Sequence, residues 1–305
     1  MKDTKRTVVT IIAAILLLTS VAGAGYTLYE DAMAKRSYEK SAELAFVPSD
    51  TAQNTELREE PPQTDTSEVL PDVSPDVAPD EEHADEEPVE EDPAEQQVQA
   101  STPPESDEVA NRLSAIDFSA LTAESPDVIG WIHIPDTDIS YPIVQGTDNS
   151  RYLKYTWDGV RNRTGAIFAD YRCDGEFVDF NTVVYGHKMS NGTMFGSLHK
   201  YRDPEFFDSH PYVYVATEKS VKRYRVFSCY EADTENGHSY RLGLNSPSEM
   251  SAYLNYCTEN SLVKSDYSAE AGTRVITLST CTKSTVYDYK TRLVVHGALD
   301  MEVYY

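Results

Sequence analysis

"TRVITLSTC", residues 273–281, is a β-branched run that climbs to a single cysteine and stops. Val, Ile and Thr lose rotamer freedom in helices and fit a pleated, half-buried surface, so the run reads as a strand. Seven more stretches of this kind lie between residues 128 and 299: VIGWIHI, ISYPIVQ, GAIFAD, NTVVYGH, YVYVAT, KRYRVFSCYEA and RLVVHGAL. Gly, Asp, Asn and Pro punctuate them. Eight short strands in this rhythm predict an all-β barrel or sandwich with peripheral helices, not a βαβ series.

Two helical signals flank the strands. Upstream, Val109, Leu113, Ile116 and Leu121 recur at helical spacing and predict one or two short helices. Downstream, residues 246–262 read SPSEMSAYLNYCTENSL. Ser246 and Glu249 form a capping box, and Pro247 suits the first turn. Met250, Tyr253, Leu254 and Cys257 would face the barrel. This helix sits in the connection just before the Cys281 strand. A connection of that length usually shapes a site.

The net charge of -25 is unevenly spread. Residues 50–108 hold twenty-one Asp and Glu against one Arg, a net of -20. Residues 1–49 net +1 and residues 109–305 net -6. The acidic, Pro-rich stretch 50–108 has almost no large apolar residue and predicts a disordered linker. Residues 109–305 have an ordinary globular composition. No basic face is evident there, which disfavours nucleic-acid binding.

Residues 7–29 are free of charge. As a helix they would measure about 35 Å, enough to cross a hydrocarbon core of about 30 Å. Lys2, Lys5 and Arg6 precede them, and Glu30 and Asp31 follow. The positive-inside bias then keeps the N-terminus cytoplasmic and exports the rest. The expected organisation is a transmembrane signal anchor at 1–29, a juxtamembrane helix-like segment at 30–49, the linker at 50–108 and a folded domain at 109–305. A cleaved signal peptide is the alternative, because Ala22-Gly23-Ala24 resembles a cleavage site.

Cys173, Cys229, Cys257 and Cys281 are scattered without CxxC spacing, which gives little support to a zinc site or redox motif. Neither GxGxxG nor a Walker motif is present, so no cofactor and no metal is expected. Cys281 itself could be a packing residue, half of a disulfide, a ligand or a nucleophile. Three strand ends carry reactive groups: His187 after "NTVVYG", Cys281 after "ITLST", and Arg292 before "LVVHG". A cysteine needs a neighbouring cation to raise its thiolate fraction, an imidazole can pass a proton to a leaving amine, and a guanidinium can stabilise an oxyanion. Of the other histidines, His296 follows a buried-looking strand and reads as a satisfied core residue.

"TLSTC" with Arg eleven residues on, and "VVYGH" 94 residues before the Cys, closely resembles the sortases, membrane-anchored transpeptidases of Gram-positive bacteria. "NTVVYGHKMSNGTMFGSL" (181–198), "IGWIHIPDTDISYPIVQGTDNSRYL" (129–153) and Ser279 resemble class B. The resemblance covers residues 109–305. It implies an eight-stranded sortase β-barrel with N-terminal helices and a helix in the loop before the Cys strand. It implies Cys281 as nucleophile, His187 as acid/base and Arg292 as oxyanion stabiliser. It further implies that Asn149, Leu153, Ser279, Thr280 and a Tyr of the 246–262 helix contact a sorting peptide. Spacing does not separate Tyr253 from Tyr256, and the expected contact is Tyr253. The implied partners are surface proteins bearing a C-terminal sorting signal cleaved after Thr, and an amine acceptor such as a peptidoglycan precursor or a pilin Lys. A cysteine peptidase using water as acceptor, or a non-enzymatic surface binding module, would share much of this sequence.

Overall fold

A computed structural model describes residues 2–46, 107–281 and 291–305. The acidic stretch expected to be a disordered linker falls almost entirely outside these residues.

Eight strands close into one barrel: β1 (Val128–His133), β2 (Ser140–Val144), β3 (Ile167–Ala169), β4 (Asn181–Tyr185), β5 (Tyr212–Ala216), β6 (Ser220–Asp233), β7 (Val275–Cys281) and β8 (Thr291–Tyr304). Each coincides with one of the eight sequence runs. Around the barrel the order is β1-β2-β3-β4-β7-β8-β6-β5. Most neighbours are antiparallel, but β2/β3 and β4/β7 run parallel. Closure leaves no free sheet edge, and inward side chains fill the interior. Ile132, Ile143, Ile167, Val184, Val215, Ile276, Leu278 and Val295 are completely buried there.

Among the described residues the α-helices are α1 (Lys2–Ala45), α2 (Glu108–Ser114), α3 (Phe118–Glu124), α4 (Pro204–Ser209) and α5 (Pro247–Glu259). Asp107 and Asp117 cap α2 and α3 by accepting from the Ala110 and Ala120 amides. Those two short helices carry Leu113 and Leu121 into a second core with Trp131, Val144 and Trp157 on the barrel's outer face. α5 begins with the capping box expected of Ser246 and Glu249. Its Tyr253, Leu254 and Cys257 are buried against Phe227, Tyr230 and Val294, a third core.

The segment 30–45, set apart in the sequence as juxtamembrane, packs on the barrel as the second half of α1. Trp157 Nε1 donates to the Ser37 carbonyl at 3.0 Å, and Tyr38 Oη donates to the Gly165 carbonyl at 2.6 Å. The Asp117 amide donates to the Ala45 carbonyl at 3.0 Å.

Candidate active site

The site follows from three neighbouring strands. β7 lies between β4 and β8. Its last residue, Cys281, is the direct cross-strand partner of Arg292 on β8. On the other side the parallel β4 pairs Tyr185 with Ser279. The ladder continues one residue further, where the Gly186 amide donates to the Ser279 carbonyl at 3.1 Å. Two residues beyond Tyr185 on one strand, and two beyond Ser279 on the next, stand His187 and Cys281. Adjacent strands lie about 4.8 Å apart, so the backbone alone brings positions 187, 281 and 292 level at one rim of the barrel.

Two glycines fix the imidazole. A Cβ on Gly186 would stand 2.5 Å from Ile167 Cδ1 and 2.7 Å from the Phe195 ring, so only glycine fits between Tyr185 and His187. Gly165 has φ of +59°, and a Cβ there would lie 2.5 Å from the Tyr152 carbonyl oxygen and 3.0 Å from His187 Cδ2. The part-exposed imidazole donates from Nε2 to the Leu153 carbonyl at 2.8 Å. A carbonyl only accepts, so the neutral ring carries its proton on Nε2. In that tautomer the ring's lone pair lies on Nδ1.

A groove of about 510 Å³ opens beside this rim. Of the residues the sequence singles out, Asn149, Leu153, Ser279 and Arg292 line it. Two others are not brought there. Thr280 alternates onto the barrel-interior side of β7 with Leu278; its hydroxyl is buried and has no hydrogen-bond partner among the described residues. Tyr253 is 2% exposed. Its hydroxyl donates to the Ser239 carbonyl at 3.1 Å, accepts from Asn181 Nδ2 at 3.0 Å and meets Thr277 Oγ1 at 3.1 Å. An inward-facing helix residue satisfied on all sides holds α5 to the barrel instead of meeting a ligand. Tyr256 is partly buried and stacks on His238.

The aromatic wall of the groove comes from residues the sequence reading passed over. Tyr240 lies in a short 3₁₀ turn, His238–Tyr240. It stacks on Tyr185 with centroids 6.3 Å apart, and its hydroxyl meets Ser279 Oγ at 3.0 Å. Asp170 is the polar hub behind the wall. Its carboxylate is fully buried and accepts from Asn149 Nδ2 at 2.8 Å, from Tyr185 Oη at 2.9 Å and from two Arg172 nitrogens at 2.8 and 2.9 Å. Burial alone would raise this carboxyl's pKa; the Arg172 fork and amide, Tyr185 and Asn149 outweigh it and hold it below the usual carboxylate range. The one available signal was an acid closing an otherwise apolar strand, "GAIFAD", two residues before an Arg.

The remaining described thiols are unsuited to nucleophilic work. Burial pushes Cys173 up to about 11 and both Cys229 and Cys257 up to about 12, and all three are unbridged. His296 is completely buried, and burial drives its pKa down to about 3. Its Nδ1 lies 3.0 Å from Thr277 Oγ1, whose proton goes to Asn181 Oδ1 at 2.7 Å. Nδ1 must therefore be the donor, and Nε2 is a buried acceptor without a partner among the described residues. His296 is thus a core residue, as expected, but only half satisfied. Among the described residues no group of three or more His, Cys, Asp and Glu is arranged to hold a metal.

A thiol-, imidazole- and guanidinium-bearing residue at the rim of a closed barrel, beside a peptide-sized groove, suits acyl transfer through a thioester. The comparisons agree in class. Residues 132–300 match the sortase domain family. Sortase B of Listeria monocytogenes is 37% identical over 175 residues, which span 57% of this chain and 70% of the relative. A Staphylococcus aureus sortase B–substrate complex superposes with a TM-score of 0.56 at 28% identity, covering 60% of this chain and 84% of that one. A sortase B complexed with triglycine gives the same TM-score at 28% identity, with coverages of 60% and 85%. The chain belongs to the sortase family, as a class B sortase, and is a cysteine transpeptidase.

Proposed function

We propose that Cys281 is the nucleophile, His187 the general acid and base, and Arg292 the oxyanion stabiliser of a reaction on C-terminal sorting signals. The thiolate of Cys281 attacks the carbonyl carbon of the signal's Thr residue, and the carbonyl oxygen takes up the electron pair. Arg292, the cross-strand partner of the nucleophile, stabilises that negative charge. Removing one comparable donor costs about 2.7–4 kcal/mol of barrier in other enzymes. The C–N bond then breaks, and the leaving amine receives a proton from Nδ1 of His187. A second amine attacks the thioester, returns a proton to Nδ1 and releases the thiolate. Positioned proton transfer of this kind contributes typically about 10²–10⁴-fold.

The observation that carries this reading is the register, with β4 and β8 flanking the end of β7 at one level. The substrate and triglycine complexes of related sortase B proteins support a peptide donor and an amine acceptor. For this chain the acceptor would be a peptidoglycan precursor or a pilin Lys. Asn149, Leu153 and Ser279 would hold the sorting peptide in the groove they line. The apolar first half of α1 is long enough to cross a bilayer and would anchor the enzyme to the cell membrane, with its catalytic domain outside.

The test is a panel of NPxTx-, LPxTG- and PPxTG-like peptides with and without an added amine. A ligated product is expected with the amine, and Cys281→Ala should abolish both cleavage and ligation without lowering thermal stability. Cleavage surviving in that variant rejects the assignment; cleavage that ignores the amine rejects transfer in favour of hydrolysis.

A further inference from the structure

The apolar span runs on without a break into the half of α1 that packs on the barrel. From residue 11 to Tyr29 the described side chains of α1 are all exposed. From Glu30 onward one face is covered, with Ala34, Ser37, Ser41 and Ala45 buried at spacings of three and four. Small residues at those positions let the helix lie close against the barrel.

The part of the barrel that meets the first docked turn is the hairpin 151–163, in which Tyr155 and Arg161 form an antiparallel bridge. Asn162 Nδ2 donates to the Glu30 carbonyl at 2.8 Å, and Arg163 pairs with Asp31 at 2.6 Å and Glu30 at 3.7 Å. Arg161 lies within electrostatic reach of the Tyr26 hydroxyl, inside the charge-free stretch. In a chain of net charge -25, this hairpin reads RYLKYTWDGVRNR, four cations and one carboxylate. Asp158 is occupied by the Ser37 and Thr156 hydroxyls. Arg163 is compensated by α1. Arg151, Lys154 and Arg161 are exposed, and among the described residues none of them forms an ion pair. Arg151 packs over the Tyr152 and Tyr155 rings. Tyr26 and Tyr29, each 62% exposed, ring the end of the apolar stretch as interfacial aromatics do.

We infer that the hairpin 151–163 rests on the anionic headgroups of the bilayer that α1 enters. The inference rests on the anchor reading of α1. Distance supports it. At about 1.5 Å per residue, Met33 stands about 6 Å beyond Tyr29, and a headgroup layer is about 5–8 Å thick on each side. Asn162 on the Glu30 carbonyl and Arg163 on Asp31 stand about 2–3 Å beyond Tyr29, inside that layer, and Val160 adjoins them on a cleft that runs from Met33 to Lys40. Leu153 belongs both to this hairpin and to the groove. The groove thus shares a residue with the segment that would meet the lipid.

The test uses the full chain in a Cys281→Ser background, where the three other described thiols are buried. Bimane is attached at Leu18→Cys, Val160→Cys or Glu218→Cys. Each protein is reconstituted into phosphatidylcholine vesicles with or without phosphatidylglycerol. Quenching is read from lipids carrying a nitroxide at the headgroup or deep in the acyl chain. Position 160 should be quenched by the headgroup nitroxide, at least about twofold more with phosphatidylglycerol than without. High salt or Arg161→Glu should remove that difference, since the Debye length falls to about 3 Å at 1 M. Position 218 lies beside α3, toward the Ala45 end of α1 and about 20 Å further along the helix, and should stay unquenched. If position 18 is quenched deep in the bilayer while 160 behaves like 218, the headgroup contact is overturned. If position 18 is not quenched at all, the anchor reading falls, and this inference with it.

Discussion

At the scale of single residues, the groove depends on a carboxylate that is not proposed to touch the reacting atoms. Asp170 holds Asn149, Tyr185 and Arg172 at once, and each of those lines the groove. Ionised, it can accept from all of them; a carboxamide at the same place offers one acceptor oxygen and two N–H donors that have no acceptor to meet. Asp170→Asn should therefore lower stability by about 2–3 kcal/mol, the scale of hydrogen bonds to a charged group. It should also raise KM for sorting peptides more than it lowers kcat, because the groove wall loosens while positions 187, 281 and 292 keep their backbone register. Thermal melts and steady-state kinetics on one preparation check both. A fall confined to kcat would assign Asp170 a direct part in the chemistry instead.

At the scale of elements, the eight strands were legible because β-branched alternation is a local signal, and each run lies between turn residues. Their neighbours were not. The parallel β4/β7 pair joins residues 94 apart in the chain, and nothing in "NTVVYGH" specifies "VITLSTC" as its partner. Positions 187, 281 and 292 stood out because reactive side chains end three strand runs and because the motifs around them resemble the sortases. Asp170 and Tyr240 were not, since their role arises from what the fold lays beside them. Tyr253 misled for a related reason: the spacing of α5 identifies its inward face, and that face meets β4 and β7, not the groove. Beneath the same helix, His296 on β8 gives the barrel a pH dependence. Its folded pKa, about 3, lies below the unfolded value of about 6.5, so between these limits only the unfolded chain binds the proton. This contribution is complete above about pH 6.5 and is lost as pH falls toward 3, at about 1.4 kcal/mol per pH unit. Denaturant titrations from about pH 4 to about pH 6, inside this window, should show a slope smaller by about one proton in His296→Asn than in the parent. Equal slopes would mean that the imidazole is already charged inside the fold.

At the scale of the whole molecule, α1 has two halves with opposite solvent preferences on one continuous backbone. The half up to Tyr29 buries none of its described side chains against the barrel. The half from Glu30 supplies the Ser37 carbonyl to the Trp157 indole, the Tyr38 hydroxyl to Gly165, Lys40 to Glu124 at 2.6 Å, and buried Ala34, Ser41 and Ala45. Trp157 is completely buried, and trading its bond to the Ser37 carbonyl for water loses the net worth of one hydrogen bond, about 0.5–1.5 kcal/mol. Exposing the Trp131, Trp157 and Leu121 surface costs more, at about 25 cal/mol per Å². A chain lacking residues 2–29 should then melt with the same midpoint as the full chain in detergent. A chain lacking residues 2–45 should lose at least about 3 kcal/mol and bind a hydrophobic dye in the native baseline. Differential scanning calorimetry on the three lengths decides it. Equal stability of the longest and shortest forms would show that the docked half of α1 contributes nothing to the stability of the barrel.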